Sequence, residues 1–211
     1  MQLDLVLRGG RVIDPAQGLD RVMDVGFAGG RVAAVGANVP AGSGAVVHDV
    51  AGLIVTPGLI DMHTHVYWGG TSLSIDPADY ARRSGVTTLV DTGSAGPGNF
   101  AGFRAHVIEP CPVRVLPFLH ISHAGIHGFS RTVSVGESAN IDLMDPIGAV
   151  AVVEANRDLI VGMRVRVCRH ASGDQGTKPL RIALEVAEET GLPLMAHVGE
   201  PPPTYEEILA L

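Results

Sequence analysis

From residue 57 onward, the sequence repeats a short apolar segment followed by a segment whose apolar residues recur at helical spacing. The first kind of segment is typical of buried strands and the second indicates helices. The clearest helical segment is KPLRIALEVAEET, which Gly191 follows as a predicted C-cap. Strands that alternate with helices favour a parallel sheet covered by helices. The predicted strands are LIDMHTHV, TTLVDTG, RVLPFLHISH, LIVGMRVRV and PLMAHVG.

Two α/β architectures satisfy this pattern, an open doubly wound sheet and a TIM-type (β/α) barrel. No G-x-G-x-x-G opens a helix after any predicted strand, which disfavours the open nucleotide-binding sheet. Residues 57–211 supply about five strand–helix units, whereas a closed barrel has eight and takes roughly 250 residues. We therefore expect an incomplete TIM-type barrel. A compact α/β domain that closes differently is the alternative.

Residues 1–56 alternate apolar and polar residues between glycine turns, as in LDLVLRGGRVID and DVGFAGGRVAAVG. Such alternation predicts short antiparallel strands and hairpins. The segment contains no cluster of Cys, His or acidic residues, so we assign it no chemistry. The expected organisation is a small β-sandwich-like domain over residues 1–56 and a partial barrel over residues 57–211.

The first predicted strand ends in two histidines, His63 and His65, within PGLIDMHTH. Side chains alternate along a strand, so both imidazoles point the same way, about 7 Å apart, and can bind one cation. A pair of core histidines bonded to neighbouring carbonyls is the alternative. Chemistry in barrels sits at the carboxyl ends of the strands, where Asp91, His123 and His197 also fall. This coincidence favours a metal site.

PGLIDMHTH, the small β-domain before it and the strand–helix alternation after it resemble the amidohydrolase superfamily of metal-dependent barrel hydrolases. SGVTTLVDTGSAG and LPLMAHVGEPPP resemble its dihydroorotase-like deacetylase branch. The resemblance implies that His63 and His65 bind one metal ion and that His197 binds a second. It also implies a carboxylated lysine that bridges two ions on the fourth strand, a further histidine, and an aspartate that acts as general base.

The sequence departs from that family pattern at two points. The fourth-strand position of the bridging lysine is Arg164, whose guanidinium has no acceptor atom and cannot be carboxylated into a ligand. Lys178, the only lysine, lies at the start of the following predicted helix. The second departure is length, since the strands that would carry the last histidine and the general-base aspartate would lie beyond Leu211. We therefore expect a truncated chain or half of a split protein.

Three further residues are candidates for substrate binding or for support of the ligands. Asp61 shares a strand face with His63 and could orient an imidazole, or cap a neighbouring backbone group instead. His120 and His123 fall on opposite faces by alternation, and His123 is the better candidate because it lies later. Arg164 shares a face with Arg166 and could bind an anion. Pairing of these arginines with Asp91 or Glu200 is the simpler alternative.

Composition narrows the partners and the compartment. The formal charge is −7 and the basic residues are not clustered, so we expect no nucleic acid or membrane partner. No signal segment or long apolar run is present, and two isolated cysteines do not make a disulfide framework. We expect a cytoplasmic protein that acts on a small-molecule amide. Its expected protein partner is a missing C-terminal half or a second copy of itself.

The resemblance implies hydrolysis of a carbon–nitrogen amide bond by metal-activated water, either N-acyl deacetylation or ring opening of a cyclic amide. Zinc is the expected metal, as one or two ions, because imidazoles are its common ligands. No catalytic residue can be named within the chain. One alternative is a truncated or degenerate amidohydrolase-like chain without independent activity. A metal-free barrel that binds sugar or phosphate is the other.

Overall fold

The computed structural model describes residues 2–211, which form two compact units. Residues up to Leu59 make the first unit and residues 60–211 make the second. The first unit is a five-stranded sheet with strands β1 (Leu5–Asp14), β2 (Leu19–Ala28), β3 (Arg31–Gly36), β4 (Val46–Asp49) and β5 (Ile54–Val55).

The predicted antiparallel hairpins account for only part of this first sheet. The strand order is β3-β2-β1-β4, with β5 also beside β1. The β1–β2 and β2–β3 pairs are antiparallel, as the alternation and glycine turns indicated. Strands β4 and β5, however, pair with β1 in parallel. The turn-rich pattern predicted the strands, but it did not distinguish a hairpin from a longer return to the same strand.

The second unit is a five-stranded sheet whose strands pair in chain order, from β6 to β10. The registers of β7–β8, β8–β9 and β9–β10 are parallel. The strands are β6 (Leu59–Thr64), β7 (Val86–Thr92), β8 (Arg114–His120), β9 (Gly162–Val167) and β10 (Leu194–Val198). The helices are α1 (Pro77–Ser84), α2 (Phe100–Phe103), α3 (Pro146–Ala155), α4 (Arg169–Ser172), α5 (Lys178–Thr190) and α6 (Tyr205–Leu209). The prediction of an incomplete TIM-type barrel with a separate N-terminal β unit is confirmed.

Local sequence explains where the connecting helices begin and end. The side chain of Asp76 accepts hydrogen bonds from two free backbone N–H groups at the start of α1, and Pro77 occupies its first position. Gly85 ends that helix in the left-handed conformation, with φ +73°. Gly191 ends α5 in the same way, with φ +67°, which confirms the C-cap predicted from sequence.

Strand β9 shows how the two faces of the barrel sheet differ. Met163, Val165 and Val167 are fully buried in the apolar core that the helices share with the sheet. Arg164 and Arg166 alternate with them and point to the opposite face. Because the strands are parallel, their carboxyl ends meet at one edge of the sheet, and polar side chains of this inner face gather there.

Candidate functional site

Four of the six predicted site residues line one cavity of about 170 Å³ at the carboxyl ends of the barrel strands. Strand β6 and the residue after it supply His63 and His65, and β10 supplies His197. The remaining wall comes from β9 and two connecting segments. Its complete lining is His63, His65, Leu73, Ile126, Phe129, Arg164, Arg166 and His197.

A larger cavity of about 480 Å³ lies elsewhere in the barrel unit, beside Tyr67 and Trp68. Its wall carries one imidazole, His106, and one carboxylate, Asp76, which already caps helix α1. The grouped imidazoles and guanidiniums are in the smaller cavity. We therefore take the smaller cavity as the candidate site.

Hydrogen bonds fix the ring of His65. Its Nδ1 lies 3.0 Å from Oγ of Ser94, and that hydroxyl donates its own proton to Asp91 at 2.7 Å. The Ser94 oxygen must therefore accept the proton from Nδ1, which leaves Nε2 of His65 with its lone pair. Asp91 is fully buried and also accepts the backbone N–H groups of Val66, Gly93 and Ser94.

The surroundings keep the cavity imidazoles neutral. Burial, assisted by the charge of Arg164, lowers the pKa of His65 to about 4. Burial likewise lowers the pKa of His63 and of His197 below their ordinary value, and the nearby guanidiniums add to the effect. Neutral imidazoles have a lone pair available for a cation. The rings of His63 and His65 lie edge to face, with centroids 5.8 Å apart.

Arg164 is the largest fully buried side chain of the described chain, with only 2% of its surface exposed. None of the residues 2–211 forms a hydrogen bond or ion pair with its guanidinium, and its Nε is buried without a partner. Burial, and next the charge of Arg166, lowers its pKa to about 10, so it stays protonated at neutral pH. The cavity wall therefore holds a cation that forms no hydrogen bond with a neighbouring carboxylate.

Arg166 is paired with Glu137, which sequence analysis did not single out, and not with the expected Asp91 or Glu200. Its Nη1 lies 3.2 Å from both oxygens of Glu137, which is buried in the long connection after β8. Glu137 also faces Nε2 of His120 at 3.6 Å. Burial alone would raise the pKa of Glu137, but His120 and Arg166 lower it on balance. The guanidinium of Arg166 lies 5.3 Å from the ring centre of Phe129.

Two predicted site residues lie outside the cavity wall. Asp61 accepts hydrogen bonds from the hydroxyl of Tyr80 at 2.7 Å and from the backbone N–H of His63 at 3.1 Å. Neither of these bonds comes from an imidazole. The Tyr80 hydroxyl, and next that N–H, lowers the pKa of Asp61. His123 is exposed, and its Nδ1 lies 2.7 Å from Asp145. Because β8 ends at His120, strand alternation does not extend to His123.

The donor set fits one cation better than two. Among residues 2–211, no group of three or more His, Cys, Asp or Glu side chains is arranged to hold a metal ion. His63 and His65 supply a pair of imidazoles, and His197 lies on the same cavity without completing a ligand group with them. Arg164 has no lone pair to donate. The imidazoles of His63 and His65 could hold one ion, whereas Arg164 does not fit two ions bridged from β9.

Residues 54–211 match the Amidohydrolase family. The chain belongs to the amidohydrolase family. A deacetylase of Agrobacterium fabrum is 37% identical over 182 residues, which are 86% of this chain and 44% of the relative. A dihydroorotase of Citrifermentans bemidjiense is 31% identical over 204 residues, which cover 92% of this chain and 42% of the relative. The amidohydrolase resemblance and its deacetylase and dihydroorotase branch are thereby confirmed.

Solved structures agree with this assignment. A dihydroorotase crystal structure superposes with a TM-score of 0.90 at 34% identity, covering 99% of this amidohydrolase chain and 55% of the other. An adenine deaminase gives 0.85 at 27% identity, covering all of this chain and 54% of the other. The chain spans about half the length of the relatives that it matches. Within residues 2–211, none of the helices is long and apolar enough to cross a membrane.

Proposed function

We propose that this chain supplies the first half of a metal-dependent barrel that hydrolyses the carbon–nitrogen bond of a small-molecule amide. The observation that carries the proposal is the meeting of His63, His65 and His197 on one cavity at the carboxyl ends of the strands. N-acyl deacetylation is the first candidate and ring opening of a cyclic amide is the second. The deacetylase and dihydroorotase relatives support both.

A divalent ion, which we propose to be zinc, would be held by His63 and His65 with His197 as a further donor. When bound, such an ion supplies a water of lowered pKa and polarises the amide carbonyl. The described residues prepare the site for this role. Ser94 and Asp91 hold His65 in the tautomer that leaves Nε2 unprotonated, and Glu137 neutralises Arg166 beside the cavity.

Further parts of the site are proposed to come from outside this chain. No described residue is positioned as the general base, and we propose that an aspartate beyond Leu211 fills that role. Ile60 and Met62 of strand β6 are 59% and 61% exposed. Exposed apolar residues on an incomplete sheet suit burial by further strands, which we propose come from a C-terminal half or a second copy.

We also propose a cytoplasmic location, since Cys111 and Cys168 are free.

A chain without independent activity is the second candidate function, and Arg164 favours it. That residue is buried where the family resemblance implies a bridging lysine, and its charge disfavours a second cation nearby.

Two measurements distinguish the two candidate functions. They are metal analysis and hydrolysis assays on N-acetylated amino acids and dihydroorotate. For the protein at its full natural length, the proposal expects about one zinc per chain and amide cleavage. Both should be lost in His63→Ala and kept in His48→Ala, since His48 is exposed on the first unit. Zinc-free, inactive protein at its full natural length would establish the second candidate instead.

A further inference from the structure

The guanidinium of Arg164 is a buried cation without a hydrogen-bonded counter-ion. Its side chain is 2% exposed, its Nε has no hydrogen-bond partner, and no carboxylate of the described residues is paired with it. A charge that is removed from water without a bonded partner carries a penalty of several kcal/mol. A buried group of this kind needs a partner such as an ordered water or a bound ligand, and a ligand that pairs with a guanidinium is an anion.

Neighbouring carboxylates are committed elsewhere. Glu137 bonds Arg166 through both oxygens. Asp91 accepts three backbone N–H groups and the hydroxyl of Ser94, so its oxygens are already satisfied. Both carboxylates act on Arg164 through space, but neither bonds its guanidinium at the wall of the cavity.

The backbone holds Arg164 in place. It lies on β9 between two paired strands, opposite His120 of β8 and Met195 of β10. Its stem packs against Gly93, which has φ +89°, and a Cβ at Gly93 would clash with the Cβ and Cγ of Arg164. Glycine at position 93 therefore allows both the turn and the close approach of the arginine stem. The backbone and the stem of Arg164 are therefore held in place before any ligand arrives.

The cavity has the size and lining for a small oxyanion. Its volume of about 170 Å³ equals about six water molecules, enough for a two-carbon carboxylate. The imidazoles of His63 and His197 on the same wall can each donate a ring N–H. A guanidinium prefers the planar, two-oxygen geometry of a carboxylate.

We propose that Arg164 binds a small carboxylate anion in the cavity that it shares with His63 and His197. The inference concerns binding alone and is independent of the proposed hydrolysis. It is tested on the full chain treated with a chelator, so that a missing or misplaced metal cannot produce the result.

Sodium acetate is the probe, acetamide is its neutral isostere, and sodium chloride controls for ionic strength. Protein labelled with [15N]arginine reports the Nε–H of Arg164 directly by NMR, and calorimetry gives the affinity. We expect acetate to shift that resonance saturably while acetamide and chloride leave it in place. Arg164→Met should weaken acetate binding at least tenfold, Arg164→Lys should restore part of it, and the exposed control Arg181→Met should bind normally.

Equal effects of acetate and acetamide, or full acetate affinity in Arg164→Met, would overturn the inference. Should Arg164→Met fail to fold, the unaltered protein still decides. The buried Arg164 resonance, assigned by its disappearance in Arg164→Lys, either moves with acetate or does not.

Discussion

Glu137 and Arg166 are 29 residues apart in the sequence, yet the carboxylate of one lies 3.2 Å from Nη1 of the other. The arginine belongs to barrel strand β9, whereas the glutamate lies in the long connection that follows β8. This ion pair ties that connection to the wall of the candidate site. It also leaves Nε of Arg164 buried without a hydrogen-bond partner.

Glu137→Gln should lower the free energy of unfolding by about 3 kcal/mol, because it leaves the charge of Arg166 largely buried without its partner. Urea denaturation monitored by circular dichroism measures the change. The matched control is Glu154→Gln, which breaks an ion pair with Arg157 whose side chains are about half exposed. We expect a loss below about 1 kcal/mol there. Similar losses in the two variants would show that the Glu137 pair contributes no more than a surface pair.

The strand–helix rhythm predicted all five barrel strands because each is an apolar run bounded by turn residues. Helix α5 was equally accessible, since its apolar residues recur at helical spacing and Gly191 marks its end by local chemistry. Alternation along β9 also predicted that Arg164 and Arg166 share a face. These features depend on neighbours in sequence, which is why sequence reasoning found them.

The partners of these arginines could not be predicted in the same way. Glu137 lies in an irregular segment without strand or helix periodicity, and its position depends on long-range contacts such as the backbone hydrogen bond from Ser138 to Ala171. His123 illustrates the same limit, because the alternation rule was applied beyond the point where β8 ends. The tautomer of His65 depends on Ser94, which is close only after β6 and β7 have paired.

His120 should make stability depend on pH. Burial lowers its pKa below the ordinary 6.5, against the opposing effect of Glu137 and with small contributions from Arg164 and Arg166. Below pH 6.5 the unfolded chain therefore binds a proton that the folded chain does not. Stability is lost as the pH falls from 6.5 toward the folded pKa, by up to about 1.4 kcal/mol per pH unit for this one group.

Unfolding free energies are measured between pH 7.5 and 5 in the presence of a chelator. Their slope against pH gives the number of protons that the chain takes up on unfolding. His120→Gln should reduce it by about one proton, whereas His48→Gln, at an exposed position, should leave it unchanged. An unaltered slope in His120→Gln would mean that His120 is protonated equally in both states.

Leu119 is fully buried in the core of the barrel unit. Leu119→Ala removes apolar contacts and leaves a cavity, so it should cost about 2–5 kcal/mol of unfolding free energy. Ile147 lies on α3 with 85% of its surface exposed, and Ile147→Ala should change stability by less than about 0.5 kcal/mol. Thermal and urea unfolding of both variants test whether the half-barrel has a native-like core. Comparable small losses would indicate loose packing around β8.

Ser94→Ala tests how the candidate metal ligands are held. Without the hydroxyl, Nδ1 of His65 loses its acceptor and the ring is no longer held in the tautomer that keeps Nε2 free. Removal of such a supporting hydrogen bond typically weakens metal binding by about 10–100-fold. Competition titration of zinc against a chromophoric chelator measures the affinity, with Ser43→Ala on the first unit as the control. Since Asp91 keeps its three backbone donors, the fold should survive the change. Zinc affinity equal to that of the unaltered chain would show that Ser94 does not position His65 for a metal.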